Sequence, residues 1–300
     1  MCLTLLHMSL PIETVSYPKD GLFSVVNRVL GRCLHNAVHG RLTRVDWRNS
    51  CYADSEINAW DIILEQPYSI GKLEVTLTER AKSVSPERII GPRVICSEWG
   101  SNFCDSLMLP PVLPDATHCT AFFRPLPQIA SHVALLSSKL NIEDCVGVHM
   151  RGPGRNHGGV RHMNRHFALI NGMPFPAFTR LIDAMPASIR LFVCSDAFQA
   201  VELFKQRYGR RVITTESPLL REGEAHEAGE YRRIGDRLIK DALTDALLLS
   251  KCRHLLHGNS NVTNFIQAYR PSLPHSDIYQ DFYRSGLPYA TKRTTYYYPE

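Results

Sequence analysis

Cys145-Val146-Gly147-Val148-His149-Met150-Arg151-Gly152-Pro153-Gly154-Arg155 is the stretch on which the fold turns. A short apolar run rich in valine breaks into arginine and glycine, the pattern of a buried strand (145–150) that ends in a polar loop. The same pattern recurs at 191–195, 211–215 and 254–257. Helical spacing of apolar residues fills the gaps at 175–185, 197–208 and 231–251, and again at 262–269. Strand and helix in strict alternation require crossover connections, hence an α/β fold with a parallel sheet covered on both faces. Such sheets bind ligands outside the carboxyl ends of their strands, near the point where the strand order reverses.

The first half is less regular. Leu22, Val25, Val26, Val29, Leu30, Cys33, Ala37 and Val38 recur at helical spacing, and Gly40 supplies a stop. Residues 42–47 read as a strand, so the chain is expected to open as loop, helix and strand, with Asp20-Gly21 in the loop. Residues 66–128 are rich in proline, with a strand expected at 93–96, and 129–140 reads as the helix closing this half.

Composition narrows the class. The 300 residues carry 34 Lys+Arg against 29 Asp+Glu, with 44% hydrophobic and 21% charged residues. These are globular values and exclude disorder, collagen and coiled coil. Arginine outnumbers lysine 26 to 8. Its planar fork grips phosphate bidentately, although codon usage in a GC-rich genome gives the same bias. Nine cysteines with no CxxC pair argue against a disulfide framework and a structural zinc site, and favour a reducing, cytoplasmic setting. No apolar run is long enough to span a membrane.

The polar residues of interest sit just after the strands. From Val146 through Leu181 there is no Asp or Glu, yet Arg151, Arg155, Arg161, Arg165 and Arg180 fall there with His149, His157, His162 and His166. Two glycines and two arginines after a strand allow close backbone approach and two guanidinium forks, a cradle for a diphosphate. It is neither a Walker loop nor the GxGxxG fingerprint. The stretch would suit nucleic acid too, but lacks interleaved aromatics for base stacking. After the last strand, His257-Gly258-Asn259-Ser260-Asn261 offers a tight turn and a helix cap, either an ordinary N-cap or an anion site. Asp241 and Asp245 lie on a leucine-rich helix and need partners there, either an arginine or a guanine base. Asp196 closes its strand and reads as an N-cap or a ligand contact.

These blocks resemble the GDP-fucose-dependent fucosyltransferases of the bacterial nodulation type, related to the α-1,6-fucosyltransferases of N-glycan cores. Asp46-Trp47-Arg48-Asn49-Ser50-Cys51-Tyr52-Ala53-Asp54, with Asn58-Ala59 and Glu65-Gln66-Pro67, is similar to the family's N-terminal block. Gly147-Val148-His149-Met150-Arg151 is similar to its Gly-Val-His-x-Arg strand end. Phe192-Val193-Cys194-Ser195-Asp196, Asp245 to Ser250, and Asn259-Ser260-Asn261 resemble the remaining nucleotide-site blocks. The likeness covers about half the chain and leaves out residues 68–144. Two departures stand out: family members carry acidic residues soon after the arginine, where this chain has none until Asp183, and Gly152 replaces a basic residue.

The resemblance implies two Rossmann-like halves facing a cleft, the GT-B arrangement. An acceptor-side half would occupy 1–140 and a nucleotide-sugar half 141–280, followed by a tail at 281–300. It implies His149 and Asp245 on the guanine or ribose, Arg151 on the β-phosphate, Ser260 near a phosphate and Gly21 as a glycine loop from the first half. Arg155, Asp196, Asn259 and Asn261 complete the expected nucleotide-sugar site. The expected activity is metal-independent, inverting transfer of a sugar, most simply fucose, from a GDP-sugar to a glycan hydroxyl. No cofactor is expected, and nucleic acid is not an expected partner. Arg151 and His157 are the expected catalytic residues. Inversion needs a base for the acceptor proton, and besides His157 the candidates are His162, His166, Asp54 and Glu98. The alternative is a non-catalytic protein that binds GDP, a nucleotide-sugar or a glycan on the same fold.

Overall fold

The computed structural model describes residues 10–18, 21–70, 120–152, 174–215, 230–258 and 260–278. The chain opens with β1 (Ile12–Val15), α1 (Leu22–Val38) and β2 (Leu42–Val45). The two strands pair in parallel, Ile12 opposite Leu42 and Val15 opposite Val45, so this is a βαβ unit. The expected helix is present with its bounds. Gly21 lies outside helix and strand as expected, but the chain opens on a strand rather than on the loop. Only Val15 of β1 is buried, and Ile12 is 53% exposed. Four residues with one inward side chain carry no period, and pairing with β2 makes the strand.

The expected helix at 129–140 is present as α2 (Pro127–Leu140), and β3 (Val146–His149), α3 (Phe175–Asp183), β4 (Leu191–Cys194), α4 (Phe198–Tyr208) and β5 (Val212–Ile213) follow it. Then come α5 (Glu230–Lys251), β6 (His254–His257), α6 (Asn261–Tyr269) and β7 (His275–Asp277). The sheet order is β5-β4-β3-β6-β7, parallel throughout. The alternation predicted four of these strands. β7, His-Ser-Asp, holds no apolar residue and forms by pairing at the sheet edge. The strand expected at 93–96 and the tail from 281 lie outside the described residues.

Period-2 alternation sends successive side chains to opposite faces. Val146, Val148, Leu191, Val193 and Leu256 join Phe178 and Phe204 in one apolar cluster. Cys145, Phe192, Cys194 and Leu255 join Leu243, Leu249 and Phe265 in the other, which continues into α1, Trp47 and Trp60 of the first half. Gly147 permits this: a Cβ there would stand 3.0 Å from both Cys252 Sγ and Leu249 Cδ2, so α5 lies close on β3. The expectation that Cys145 and Cys194 are core residues holds, since both are buried and free.

The two halves are joined by specific contacts. The Asn27 amide in α1 donates to the Asn261 carbonyl at the start of α6 (3.0 Å). Gly235 lies inside α5, where a Cβ would overlap the backbone of Tyr52. The Tyr52 hydroxyl in turn accepts from the Leu22 N–H at the start of α1 (3.2 Å).

Candidate functional site

The strand order places the reversal between β3 and β6. The chain runs from β3 outward to β4 and β5, then returns across α5 to β6 on the other side. The crevice of a doubly wound sheet therefore lies at His149 and His257, which face each other in register. Arg151 and Gly152 leave β3 there, Asp196 leaves β4, Thr215 follows β5, and Gly258 and Ser260 follow β6.

Asp196 organises the exit of β3. Its Oδ1 accepts from the Gly152 N–H at 2.7 Å, and its Oδ2 stands 3.5 Å from Arg151 Nε. The N-cap expectation for Asp196 is thereby corrected. Ala197 occupies the cap position of α4, and no side chain caps it. The carboxylate instead reaches across to β3, where a backbone donor and a guanidinium offer more than a helix start. The arginine is half-buried, with 30% of its side chain exposed. Gly152 is required by the same contact: a Cβ there would overlap Ala197 Cβ and stand 3.2 Å from Asp196 Oδ1. The departure from a basic residue at this position therefore has a local cause.

His149 is buried beside this pair. Burial and then the Arg151 charge push its imidazole down to about 4, partly opposed by Asp196, so the ring is neutral near pH 7. His257 is oriented by its neighbours. Its Nδ1 lies 3.0 Å from the Gly258 carbonyl and so carries the proton. Its Nε2 lies 3.1 Å from the Gln267 amide and 3.0 Å from His275 Nδ1.

The remaining expected residues differ in their surroundings. Ser260 caps α6 in a reciprocal box with Thr263, which is the ordinary N-cap reading. Asn261 opens the same helix. The Asp245 Oδ1 accepts from the Thr215 hydroxyl at 2.6 Å, tying α5 to the exit of β5. Asp241 does take an arginine, Arg237, one turn earlier at 3.4 Å. Gly21 caps α1 at φ −72°, a conformation open to any residue, with nothing closer than 3.7 Å to an added Cβ. Arg155, His157 and Asn259 lie outside the described residues, as do His162, His166 and Glu98. Asp54 is exposed.

Sequence reasoning overlooked the supports. Asn58 and Gln66 were visible only as parts of the resemblance, yet they complete the hydrogen bonding at the end of β2. Gln66 Oε1 accepts from the Val45 N–H (2.8 Å) and its Nε2 donates to the Val45 carbonyl (3.0 Å), imitating a neighbouring strand. Asn58 donates to that carbonyl (2.8 Å) and accepts from the Trp47 N–H (2.8 Å). Gly235 carried a readable signal, since a glycine inside a helix commonly marks close packing. Among the described residues no group of three or more His, Cys, Asp or Glu is placed to hold a metal, and no helix is long and apolar enough to cross a membrane.

The parallel five-stranded sheet and the βαβ unit joined to it share their α/β, Rossmann-like fold with solved structures of GT-B fucosyltransferases. The likeness extends over most of the chain in particular solved structures. The fucosyltransferase NodZ from Bradyrhizobium matches with a TM-score of 0.55 and 15% identity, over 91% of this chain and 96% of that one. NodZ α-1,6-fucosyltransferase co-crystallized with GDP gives 0.54 and 14%, over 89% and 93%. POFUT1 in complex with GDP gives 0.52 and 11%, over 89% and 98%. At these identities the likeness is one of fold. No protein-family model and no curated protein matches the sequence.

Proposed function

We propose that the protein is a metal-independent, inverting glycosyltransferase that moves fucose from GDP-fucose to a hydroxyl of a glycan acceptor. The observation that carries this reading is the Arg151 guanidinium, paired with Asp196 at the switch point beside a neutral histidine. Structures of the same fold were solved with GDP and after soaking with GDP-fucose, which supports the same donor here. The division into an acceptor-side half (1–140), a nucleotide-sugar half (141–280) and a tail (281–300) belongs to the same proposal. So does a cytoplasmic setting, supported by the buried free thiols.

The reaction breaks the bond between the sugar C1 and the β-phosphate oxygen. Negative charge grows on GDP while the sugar becomes cationic. A guanidinium already oriented by a carboxylate stabilises that leaving group without reorganising, and supplies the charge that a metal would otherwise bring. His149, which keeps its proton count constant from pH 5 upward, offers a ring N–H or lone pair to guanine or ribose. Asp245 shares that role, with Thr215 orienting its carboxylate. Ser260, Asn259 and Asn261 at the start of α6, together with Gly21 and Arg155, surround the phosphates. His157 takes the proton from the acceptor hydroxyl.

Thermal shift with GDP, ADP and UDP tests the donor, and GDP-fucose turnover with and without EDTA tests the chemistry. GDP alone should stabilise the fold, and turnover should survive the chelator. Arg151→Ala should lower turnover by about 10²–10³-fold while the protein stays folded. Equal response to all three nucleotides, or full turnover without Arg151, would overturn the reading.

A further inference from the structure

The β1–β2 pair has its own carboxyl end, and a cavity lies there. Ser16 directly follows β1 and Asp46 directly follows β2, and both line a hollow of about 280 Å³ with Arg48, Asn49, Ser55 and Glu56. That volume is at the small end of ligand pockets, roughly 300–1,000 Å³, and suits one ring rather than a nucleotide.

The lining is built of paired donors and acceptors. Arg48 grips Asp46 bidentately, Nε to Oδ1 at 2.9 Å and an Nη to Oδ2 at 2.6 Å. That grip holds the Asp46 carboxyl below its usual value, so it stays an acceptor at any physiological pH. A carboxylate has about four acceptor positions and a guanidinium five N–H donors, so each retains capacity after pairing. Asn49 stands in the left-handed region at φ 58°, a turn conformation that asparagine adopts more readily than most residues and that turns the chain along the hollow. Two serine hydroxyls add groups that both donate and accept. Glu56 lies near enough to Arg48 to act on its charge. Asp46 and Glu56 against Arg48 give the lining a formal charge of −1. This balance disfavours phosphate and carboxylate ligands.

We infer that this hollow is a subsite for one ring of a neutral saccharide, whose adjacent hydroxyls match side-by-side donors and acceptors. Its role as an acceptor subsite rests on the transferase reading above.

Saturation-transfer NMR with neutral trisaccharides of glucose, galactose, mannose and N-acetylglucosamine, with glucose 1-phosphate as the anionic control, tests the subsite directly. Ser55→Trp fills the hollow from an exposed position, and Glu56→Gln removes one charge without changing shape. At least one trisaccharide should bind the wild type, and more tightly than glucose 1-phosphate. Each variant should weaken that binding about tenfold while GDP affinity stays within twofold. If transfer occurs, the acceptor KM should rise and donor hydrolysis should not change. Saccharide binding that survives Ser55→Trp, preference for the phosphate, or no trisaccharide binding would overturn the subsite. Saccharide binding to a protein that ignores GDP would support the subsite and refute the proposed donor, so the two readings fail separately.

Discussion

The carboxyl ends of the two parallel sheets solve opposite problems. At the five-stranded sheet the polar groups are held by partners distant in sequence: Asp196 by Gly152 and Arg151, Asp245 by Thr215, and His257 by Gln267 and His275. At the two-stranded unit Asn58 and Gln66 hold the backbone at the end of β2, but the charged pair lining the hollow is local, Asp46 to Arg48 two residues on, and exposed. Long-range anchoring fixes geometry before a ligand arrives, which favours stabilisation of a developing charge. Local, solvated pairing leaves side chains able to adjust, which favours recognition of a neutral ligand.

The largest effect should come from disturbing the anchored edge at its tightest point. Gly152→Arg restores the residue type that the resemblance led us to expect, but its Cβ overlaps Ala197. Overpacking costs about 1–3 kcal/mol and more where backbone must move, so we expect a loss of about 3 kcal/mol or more by urea denaturation. The double variant Gly152→Arg/Ala197→Gly should recover most of that loss. No recovery would show that the glycine answers to something other than Ala197.

What was legible follows the same division. The alternation of the second half gave strands 146–149, 191–194 and 254–257 because buried parallel strands are continuous apolar runs. It also placed Arg151, Asp196 and Asp245 after or against those strands. Their partners were not legible, because Gly152 meets Asp196 across 44 residues and Thr215 meets Asp245 across 30. β1 and β7 escaped because four- and three-residue strands with at most one buried apolar side chain have no periodicity to read. The hollow at Ser16 and Asp46 escaped for another reason. Its side chains are ordinary exposed polar residues, and only the pairing of β1 with β2 brings them to one place.

A smaller effect distinguishes the buried edge by pH. His149 is pushed down to about 4 in the folded chain against 6.5 unfolded. Between those values the unfolded state binds the extra proton, so stability is full above pH 6.5 and falls as the pH drops towards 4. From pH 7.5 to 5 this histidine should remove about 2 kcal/mol. His149→Gln should flatten that part of the urea-midpoint profile. An unchanged slope would mean that the ring is hydrated and that the edge is less rigid than its burial indicates.

The smallest effect belongs to the exposed edge and has its own sign. Arg48 holds the Asp46 carboxyl below its usual 3.8, so the pair supports the fold above that value and the support fades only as pH falls below it. Solvent screens the pair, and exposed ion pairs contribute little to stability. Asp46→Asn should therefore leave urea midpoints between pH 5 and 8 within error, with a faint change below pH 4 that 0.5 M NaCl removes. A large loss at neutral pH would make the pair a structural element of β2, like Asn58 and Gln66, rather than part of a ligand surface. A negligible loss, with saccharide binding weakened in the same variant, would separate the edges as argued: one whose polar groups build the fold and the site together, and one whose polar groups are kept for a ligand because the fold does not use them.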